Sequence, residues 1–247
     1  MNCRFSIMTS NLWNTEKIEE RKDSIIKFFS INKPDFLCIQ EIRKETRDLL
    51  DSQLEKYSRV EDSFIGWQEE TNIYYRNDLF EEVEHGRIDL NMPEVNRGLF
   101  YLRVKIKGSN KTLFISTAHL THQGNADEVA TSRNYRQDEA SMIGDNLLTL
   151  VKKGEGAIVC GDFNDPFHPT KIISEKTDFV EVFRTLHLEA PLTFPCSSIS
   201  EEYYLVESLD KIMHNSFISP IMATSPRLVL SKGISDHYPV YAMFEVK

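Results

Sequence analysis

A set of polar residues stands where apolar, strand-like runs end or begin, and their side chains suit one kind of chemistry. They are Asn11, Glu41, His119, Asp162, Asn164, Asp210, Asp236 and His237. Carboxylates bind hard divalent cations, and imidazoles exchange protons near neutral pH. Strand ends cluster in a layered α/β protein, so residues scattered along the chain can converge on one cleft. The set therefore predicts a site for a hard cation and a phosphoryl group.

Each of these residues also has a local explanation. Asn11 could cap a turn, Glu41 could begin a solvated helix, and a lone His119 is more often a core or rim residue. The stretch GDFNDPFHP at 161–169 could be an Asx turn followed by proline. Each explanation is favoured by itself, but together they leave the repeated pattern unexplained. His168 matches no other part of the pattern and is left out of the predicted site.

The elements that must position these residues are mostly strands. Strands are predicted at 4–11, 35–41, 71–76, 79–90, 98–107, 112–120, 157–164, 208–215, 227–231 and 237–246. Helical spacing predicts helices at 15–30, capped by Thr15, near 44–54, and at 125–152. Many strands follow one another through short turns, which predicts mixed sheets. Two sheets with helices on their outer faces fit this order better than an eight-fold βα barrel.

Composition describes an ordinary folded protein with an acidic balance. The chain has 247 residues, 40% hydrophobic content and a net charge of -9. Without repeats or linkers, one domain over 1–247 is expected, acting as a monomer. No run approaches about 18 apolar residues and no secretory signal is evident, so an intracellular location, cytoplasmic or nuclear, without membrane insertion is expected. The four cysteines lack CxxC spacing and are predicted to be reduced.

The short blocks around the polar residues resemble a known superfamily. SNLWN, IQE, STAHL, GDFND, LDKIM and SDHYPV, in this order, are similar to the signature blocks of endonuclease/exonuclease/phosphatase proteins, the deoxyribonuclease-like metallophosphoesterases. The resemblance spans residues 7–240. It implies a four-layer α/β sandwich, with two mixed β-sheets packed face to face, and hydrolysis of a phosphate ester with Mg²⁺ or Mn²⁺.

The resemblance also implies roles at the metal-binding end of the site. Glu41 is the expected main ligand, with Asn11 close by and water completing the coordination, as Mg²⁺ prefers. Asp236 is expected to complete the carboxylate set as a further ligand.

Further roles concern the reacting groups. His237, oriented by Asp210, is expected to be the general base or to stabilise the developing charge. Asp162 is expected to position the attacking water, and Asn164 to donate a hydrogen bond to a phosphoryl oxygen. His119 is expected to bind the phosphate or protonate the leaving oxygen.

Two weaker expectations concern neighbours of His119. Arg97 lies where related nucleases hold a phosphate-binding arginine, although a surface charge at a strand start is equally good as an explanation. Asn72 or Glu69–Glu70 could fix the tautomer of His119, although a solvated acidic turn explains the glutamates better.

The substrate is the most open question. The acidic balance disfavours a long nucleic-acid footprint, although Arg133 or Arg136 could supply one phosphate contact. Aromatic residues that could stack on a base are Trp67, Phe194 and Tyr203–Tyr204, although ordinary packing explains them at least as well. An intracellular nuclease or phosphodiesterase is the preferred hypothesis. The alternatives are a phosphatase or phospholipase C-like enzyme on a small metabolite or lipid headgroup, and an inactive binding module.

Overall fold

The computed structural model describes residues 3–196, 207–228 and 233–247, which form strands and helices in mixed order. The strands are β1 Arg4–Asn11, β2 Phe36–Gln40, β3 Tyr57–Arg59, β4 Thr71–Arg76, β5 Phe80–Ile88, β6 Leu99–Ile106, β7 Thr112–His119, β8 Gly156–Asp162, β9 Val180–Glu181, β10 Asp210–His214, β11 Ile218–Thr224 and β12 Val240–Val246. The helices are α1 Ile18–Ile31, α2 Lys44–Gln53, α3 Gly66–Glu69, α4 Ala126–Thr131, α5 Tyr135–Leu150, α6 His168–Lys176 and α7 Val182–Thr185.

The strands form two six-stranded mixed sheets. The first has the order β11-β12-β1-β2-β4-β3, and the second the order β5-β6-β7-β8-β10-β9. Each sheet has a central parallel pair, β1 with β2 and β7 with β8, and its other described pairings are antiparallel. The mixed sheets predicted from the short turns are confirmed.

Three apolar clusters arrange the sheets and helices in four layers. One cluster fills the space between the sheets and includes Phe36 of the first and Ile158 of the second. Another joins the first sheet to α1 and α2, through residues such as Phe29. The last joins the second sheet to α5 and α6, through residues such as Ile143 and Ile173. Burial on both faces explains why the central strands read as continuous apolar runs. The predicted four-layer α/β sandwich is confirmed.

Gly161 allows the parallel pair of the second sheet to approach closely. Its φ is +139°, and a Cβ there would lie 1.9 Å from the carbonyl oxygen of Ala118. No side chain fits such a contact, so β8 needs glycine at this position. The close approach sets His119 beside Asp162 in the register of β7 and β8.

Some predicted elements differ from the structure. The single helix predicted at 125–152 is two helices, α4 and α5, because Ser132 adopts a left-handed conformation and Asn134 begins a new helix through a side-chain cap. Thr15 does not cap α1, which begins after Lys17. The predicted strand at 227–231 lies partly outside the described residues, and 227–228 are not in a strand.

Other described strands and helices were not predicted from the sequence. They are β3, β9, β11, α3, α6 and α7, most of them short or at a sheet edge. Pro220 lies in the edge strand β11, at a bulge in its pairing with β12, which is where a sheet tolerates proline. None of the helices in the described ranges has the length and apolar character needed to cross a bilayer.

Candidate active site

The candidate residues meet because the two parallel pairs end at the same edge of the sandwich. Asn11 ends β1 and Glu41 follows β2, while His119 and Asp162 end β7 and β8. The side chain of Asn11 joins the two sheets, because its Nδ2 donates to Glu41 Oε1 at 3.0 Å and to Asp162 Oδ2 at 3.0 Å. The predicted convergence of residues from distant parts of the chain is therefore present in the structure.

Glu41 is held by two asparagines. Its φ of +54° turns the side chain out of the strand direction, and Asn14 Nδ2 donates to its Oε2 at 3.1 Å. Each carboxylate oxygen thus has one amide donor. Asn14 was not predicted as a site residue, although it belongs to the SNLWN block, since its role depends on the loop conformation after β1. Asn11 directs its nitrogen at the carboxylates, while its Oδ1 accepts from the backbone N–H of Trp13 at 2.8 Å. In this arrangement Asn11 aligns Glu41, and its Oδ1 keeps a second lone pair beside the contact with Trp13.

Asp210 and His237 form a buried pair. His237 Nδ1 lies 2.9 Å from Asp210 Oδ2. Thr193 holds the backbone that carries this carboxylate, because its Oγ1 accepts the backbone N–H groups of Leu209 and Asp210 at 3.0 and 3.1 Å. Its carbonyl accepts the backbone N–H of Tyr238 at 2.8 Å. Thr193 therefore connects the segment that carries Asp210 to the one that carries His237, a role the sequence did not reveal.

The other ring nitrogen of His237 faces Asp162. Nε2 lies 3.6 Å from Asp162 Oδ2. Although burial opposes the charged imidazole, the carboxylates of Asp210 and Asp162 raise the pKa of His237 to about 10. Burial raises the pKa of Asp162 to about 6, while His237 acts in the opposite direction. His237 and Asp162 therefore place a cationic imidazole beside a carboxylate whose pKa lies close to neutrality.

His119 lies near the same oxygen of Asp162 and is kept neutral. Its Nε2 is 3.5 Å from Asp162 Oδ2 and 3.9 Å from Glu41 Oε1. Burial, reinforced by the charge of Arg97, holds its pKa well below the usual range. Its Nδ1 is buried and has no hydrogen-bond partner among the described residues. Asn72 does not fix the tautomer as proposed, because its amide bonds with the backbone of Val60 and Trp67.

Arg97 belongs to a small basic cluster beside His119. Its Nε donates to Glu70 Oε2 at 3.1 Å, and Arg43 Nη2 donates to Glu70 Oε1 at 3.3 Å. Arg97 Nη1 is buried without a partner among the described residues. The charges of Arg97 and Arg43 both depress the pKa of His119, which places them near its ring. Glu70 thus orients two arginines and does not contact His119 itself.

Asn164 and Asp236 complete the set. The backbone N–H of Asn164 donates to Asp162 Oδ1 at 3.0 Å, and its Nδ2 donates to the carbonyl of Leu120 at 2.9 Å. Since an amide nitrogen carries two N–H donors, the Leu120 contact engages one of them. Asp236 accepts from Ser235 Oγ at 3.1 Å. Burial and the nearby Glu41 raise the pKa of Asp236, although His237 opposes this.

Several predicted substrate contacts lie elsewhere. Trp67 is 1% exposed and packs against Phe100, so it does not stack on a substrate. Arg136 is buried and paired with Glu128, which removes it as a phosphate contact. Arg133 pairs with an exposed aspartate, Asp138. Phe194, in contrast, lies at the site, because its ring centroid is 4.6 Å from that of His237. Tyr203–Tyr204 lie outside the described residues.

The donor set suits a small, hydrated cation. Within the described ranges, no three side chains from His, Cys, Asp and Glu form a ready-made metal cage. Mg²⁺ does not need one, since it keeps several waters and uses one or two carboxylates. Glu41 and Asp236 are close enough to influence each other electrostatically. Such carboxylates fit a divalent cation that shares its coordination with water and substrate.

The fold and the site together define a hydrolytic phosphoesterase. A sequence model of the Endonuclease/Exonuclease/phosphatase family matches residues 8–237. The chain belongs to this family, whose members generally use divalent metal ions. A search of curated protein sequences finds no significant match.

Solved structures share the fold at low sequence identity. TDP2 from D. rerio, in complex with a single-stranded DNA product, is 18% identical, with a TM-score of 0.79 over 98% of both chains. The human Nocturnin catalytic domain is 20% identical, with a TM-score of 0.76 over 100% of this chain and 97% of its own. A mannosyl-6-phosphatase from Bacteroides thetaiotaomicron is 18% identical, with a TM-score of 0.76 over 97% and 99%. At such identities the likeness establishes the fold alone.

Proposed function

We propose that this protein hydrolyses phosphodiester bonds, with nucleic acid as the substrate and Mg²⁺ or Mn²⁺ as the cofactor. The observation that carries the proposal is the environment of the Asp162 carboxylate. It lies within 3.6 Å of side-chain nitrogens of Asn11, His119 and His237, which come from the ends of β1 and β7 and from the loop before β12. A carboxylate with cationic and neutral donors around it suits a reaction in which a water is deprotonated beside a phosphoryl group.

In the proposed reaction, Asp162 positions the water and accepts its proton as the oxygen attacks phosphorus. The P–O bond to the leaving alcohol breaks, and the leaving oxygen takes a proton from solvent. The Asp162 pKa of about 6 is favourable for a base at neutral pH. His237, charged and oriented by Asp210, stabilises the negative charge that develops on the phosphoryl oxygens. Asn164, His119 and Arg97 add neutral and charged hydrogen-bond donors to the same oxygens.

The metal-binding end of the site is assigned to Glu41, with Asp236 and Asn11 beside it. A bound divalent cation supplies Lewis-acid stabilisation of the phosphoryl charge. Because neutral His119 lies near Arg97, it is better suited to donate a hydrogen bond to the phosphate than to act as a strong acid toward the leaving oxygen.

A nucleic-acid substrate is supported by the basic cluster of Arg43 and Arg97 in a chain that is acidic as a whole. D. rerio TDP2 with its single-stranded DNA product shows that the fold accommodates such a ligand. The second candidate is a phosphatase of a small phosphorylated metabolite. It is favoured by the burial of Trp67, which leaves fewer aromatic rings for base stacking.

The metal-dependent mechanism predicts the behaviour of two variants. Glu41→Ala and His237→Ala should lower kcat/KM on bis(p-nitrophenyl) phosphate by at least about a thousandfold, because each removes a group that acts in the transition state. EDTA should abolish the wild-type activity, and Mg²⁺ or Mn²⁺ should restore it. The control variants Glu81→Ala and His187→Asn change exposed residues and should keep full activity. Turnover in EDTA, or an active Glu41→Ala, would contradict the mechanism.

A substrate panel separates the candidates. It compares single-stranded and duplex DNA, RNA, a phosphotyrosyl oligonucleotide, sphingomyelin, inositol phosphates and mannose 6-phosphate. Preferred cleavage of an oligonucleotide supports the proposal, and preferred cleavage of a small monoester supports the second candidate. Failure to hydrolyse any of them with metal present would favour an inactive binding module.

A further inference from the structure

Arg21 is a buried charge that the proposed reaction does not use. It lies in α1, near the start of the helix, and is 1% exposed. A buried guanidinium is costly unless its donors are paired. A guanidinium carries five N–H donors, and here its nitrogens make five hydrogen bonds to backbone carbonyls. The acceptors are Leu12, Trp13, Asn14, Glu16 and Ile234.

These carbonyls belong to two loops that flank the metal-binding end of the site. Four are in the loop that follows β1, and Arg21 Nη1 reaches Leu12 there at 3.0 Å. The same Nη1 reaches the carbonyl of Ile234 at 2.5 Å, in the loop that leads to β12. Arg21 is therefore a physical connection between loops that are more than two hundred residues apart in sequence.

Each loop also carries a side chain that donates a hydrogen bond to a carboxylate of the site. In the first loop, Asn14 donates from Nδ2 to Glu41 Oε2 at 3.1 Å. In the second, Ser235 follows Ile234 directly and donates to Asp236 Oδ1 at 3.1 Å. The charges of Asp236 and Glu41 also act on the guanidinium, against the burial that lowers the pKa of Arg21. The two expected metal ligands are thus linked through one buried side chain.

We propose that Arg21 is a positioning residue for the metal-binding end of the site. It fixes the loops that carry Asn14 and Asp236 relative to each other, so that Glu41 and Asp236 remain aligned for one divalent cation. The inference rests on the proposed function, because it takes these carboxylates as the metal ligands. Lysine cannot replace Arg21, since an ammonium group has three donors on a single atom and leaves at least two of the five carbonyls without a donor.

Direct Mn²⁺ binding, measured by electron paramagnetic resonance without substrate, tests this role. Arg21→Lys should weaken Mn²⁺ affinity by about tenfold, the lower end of the range for lost groups that support metal ligands, because it loosens both loops at once. The matched control is Arg103→Lys, because Arg103 is also buried and bonds to Glu155 and the Leu150 carbonyl. Both variants should lower the thermal midpoint, but Arg103→Lys should keep wild-type Mn²⁺ affinity. Equal affinity in folded Arg21→Lys and wild type would overturn the proposal.

A second variant keeps the proposal testable if Arg21→Lys does not fold. Asn14→Gly retains Arg21 and suits the positive φ of 38° at this position, but removes the amide donor to Glu41. It should weaken Mn²⁺ affinity several-fold, and wild-type affinity in this variant would contradict the route from Arg21 to Glu41. Because the measurement needs no turnover, wild type that binds Mn²⁺ but hydrolyses no phosphoester would refute the proposed function alone. Wild type that does not bind Mn²⁺ would refute both.

Discussion

At the scale of single residues, the buried carboxylates around His237 outnumber the positive charge that faces them. Asp162, Asp210 and Asp236 lie around His237, and burial raises the pKa of Asp162 and of Asp236. One imidazolium does not neutralise three carboxylates. Buried carboxylates without full compensation are unstable in the charged form. A divalent cation would supply the missing positive charge, so we expect metal binding to stabilise the fold as well as the transition state.

Thr193 provides a prediction about the orientation of Asp210. Its Oγ1 accepts two buried backbone N–H groups next to this carboxylate. Thr193→Val should leave both donors unpaired and lower the free energy of unfolding by about 1–3 kcal/mol. It should also lower kcat by about tenfold with little change in KM, because the charge of His237 acts in the transition state. Thr193→Ser keeps the hydroxyl and should restore kcat.

A double-mutant cycle distinguishes positioning from general destabilisation. In an Asp210→Asn background, Thr193→Val should have little further effect on kcat, because the group it positions has already been lost. Steady-state kinetics well below the thermal midpoint of each variant make the comparison. Additive losses of kcat would show that Thr193 does not act through Asp210.

At the scale of elements, strands and their ends were the most predictable part of the molecule. The strand at 4–11 and the one at 71–76 have the predicted bounds, because long apolar runs between polar residues are a strong local signal. The expectation that strand ends share a cleft is met by the hydrogen bonds of Asn11 to both sheets. The catalytic and metal roles given to these residues stay predictions.

What the sequence missed depends on tertiary contacts. Ser132 breaks the helix predicted at 125–152, although no proline or glycine marks the position. Arg21 and Thr193 support the site through backbone groups of distant loops, and Asn14 does so through a side-chain hydrogen bond to Glu41. Their residue types are common in caps and on helix surfaces, so spacing alone does not single them out. Trp67 packs in the core, which is the alternative that the sequence left open, because an aromatic residue in a polar segment can still be buried.

His85 in β5 gives a prediction on the pH dependence of stability. Nδ1 lies 2.6 Å from Glu82 Oε1, and Nε2 lies 3.2 Å from Asp62 Oδ2. Burial opposes the charged form, but the two carboxylates prevail and raise the pKa of His85. Below the unfolded pKa of about 6.5 both states are protonated, and the full stabilisation is present. It is lost as the pH rises through the folded-state value.

The variant His85→Gln should therefore lower the free energy of unfolding more at acidic pH than at basic pH. Urea unfolding should show a loss of about 1–2 kcal/mol near pH 5.5 and a clearly smaller loss near pH 9. The control is His168→Gln, because the side chain of His168 is 56% exposed beside Asp165. This control should lower the free energy of unfolding by less than about 0.5 kcal/mol at either pH. A loss for His85→Gln that does not change with pH would contradict the charged arrangement.

At the scale of the whole molecule, the charge distribution limits how a nucleic acid could be bound. The net charge of -9 repels a polyanion at long range, whereas Arg43 and Arg97 form a local basic cluster bridged by Glu70. Binding would then rely on few phosphate contacts and on the metal. A broad electrostatic footprint, typical of non-specific nucleases, is not expected.

This arrangement predicts a shallow salt dependence for single-stranded DNA. Each phosphate contact contributes a slope of about -0.7 to a plot of log affinity against log salt, so two arginines predict a total of about -1.4. The measurement is kcat/KM, or binding of an uncleaved oligonucleotide to Glu41→Ala, over a range of KCl concentrations. Arg97→Ala should reduce the slope by about 0.7, because it removes one contact. The slope reports the number of phosphate contacts, whereas the affinity itself does not.

Arg59→Ala is the matched control for this measurement, because Arg59 lies on the edge strand β3 and pairs with Asp51. It should leave the slope unchanged. A wild-type slope steeper than about -3 would mean that phosphates contact more basic residues than Arg43 and Arg97. A slope near zero that Arg97→Ala does not alter would mean that the substrate brings no additional phosphate to this cluster. That result would favour a small phosphorylated metabolite, for which the acidic surface is no obstacle.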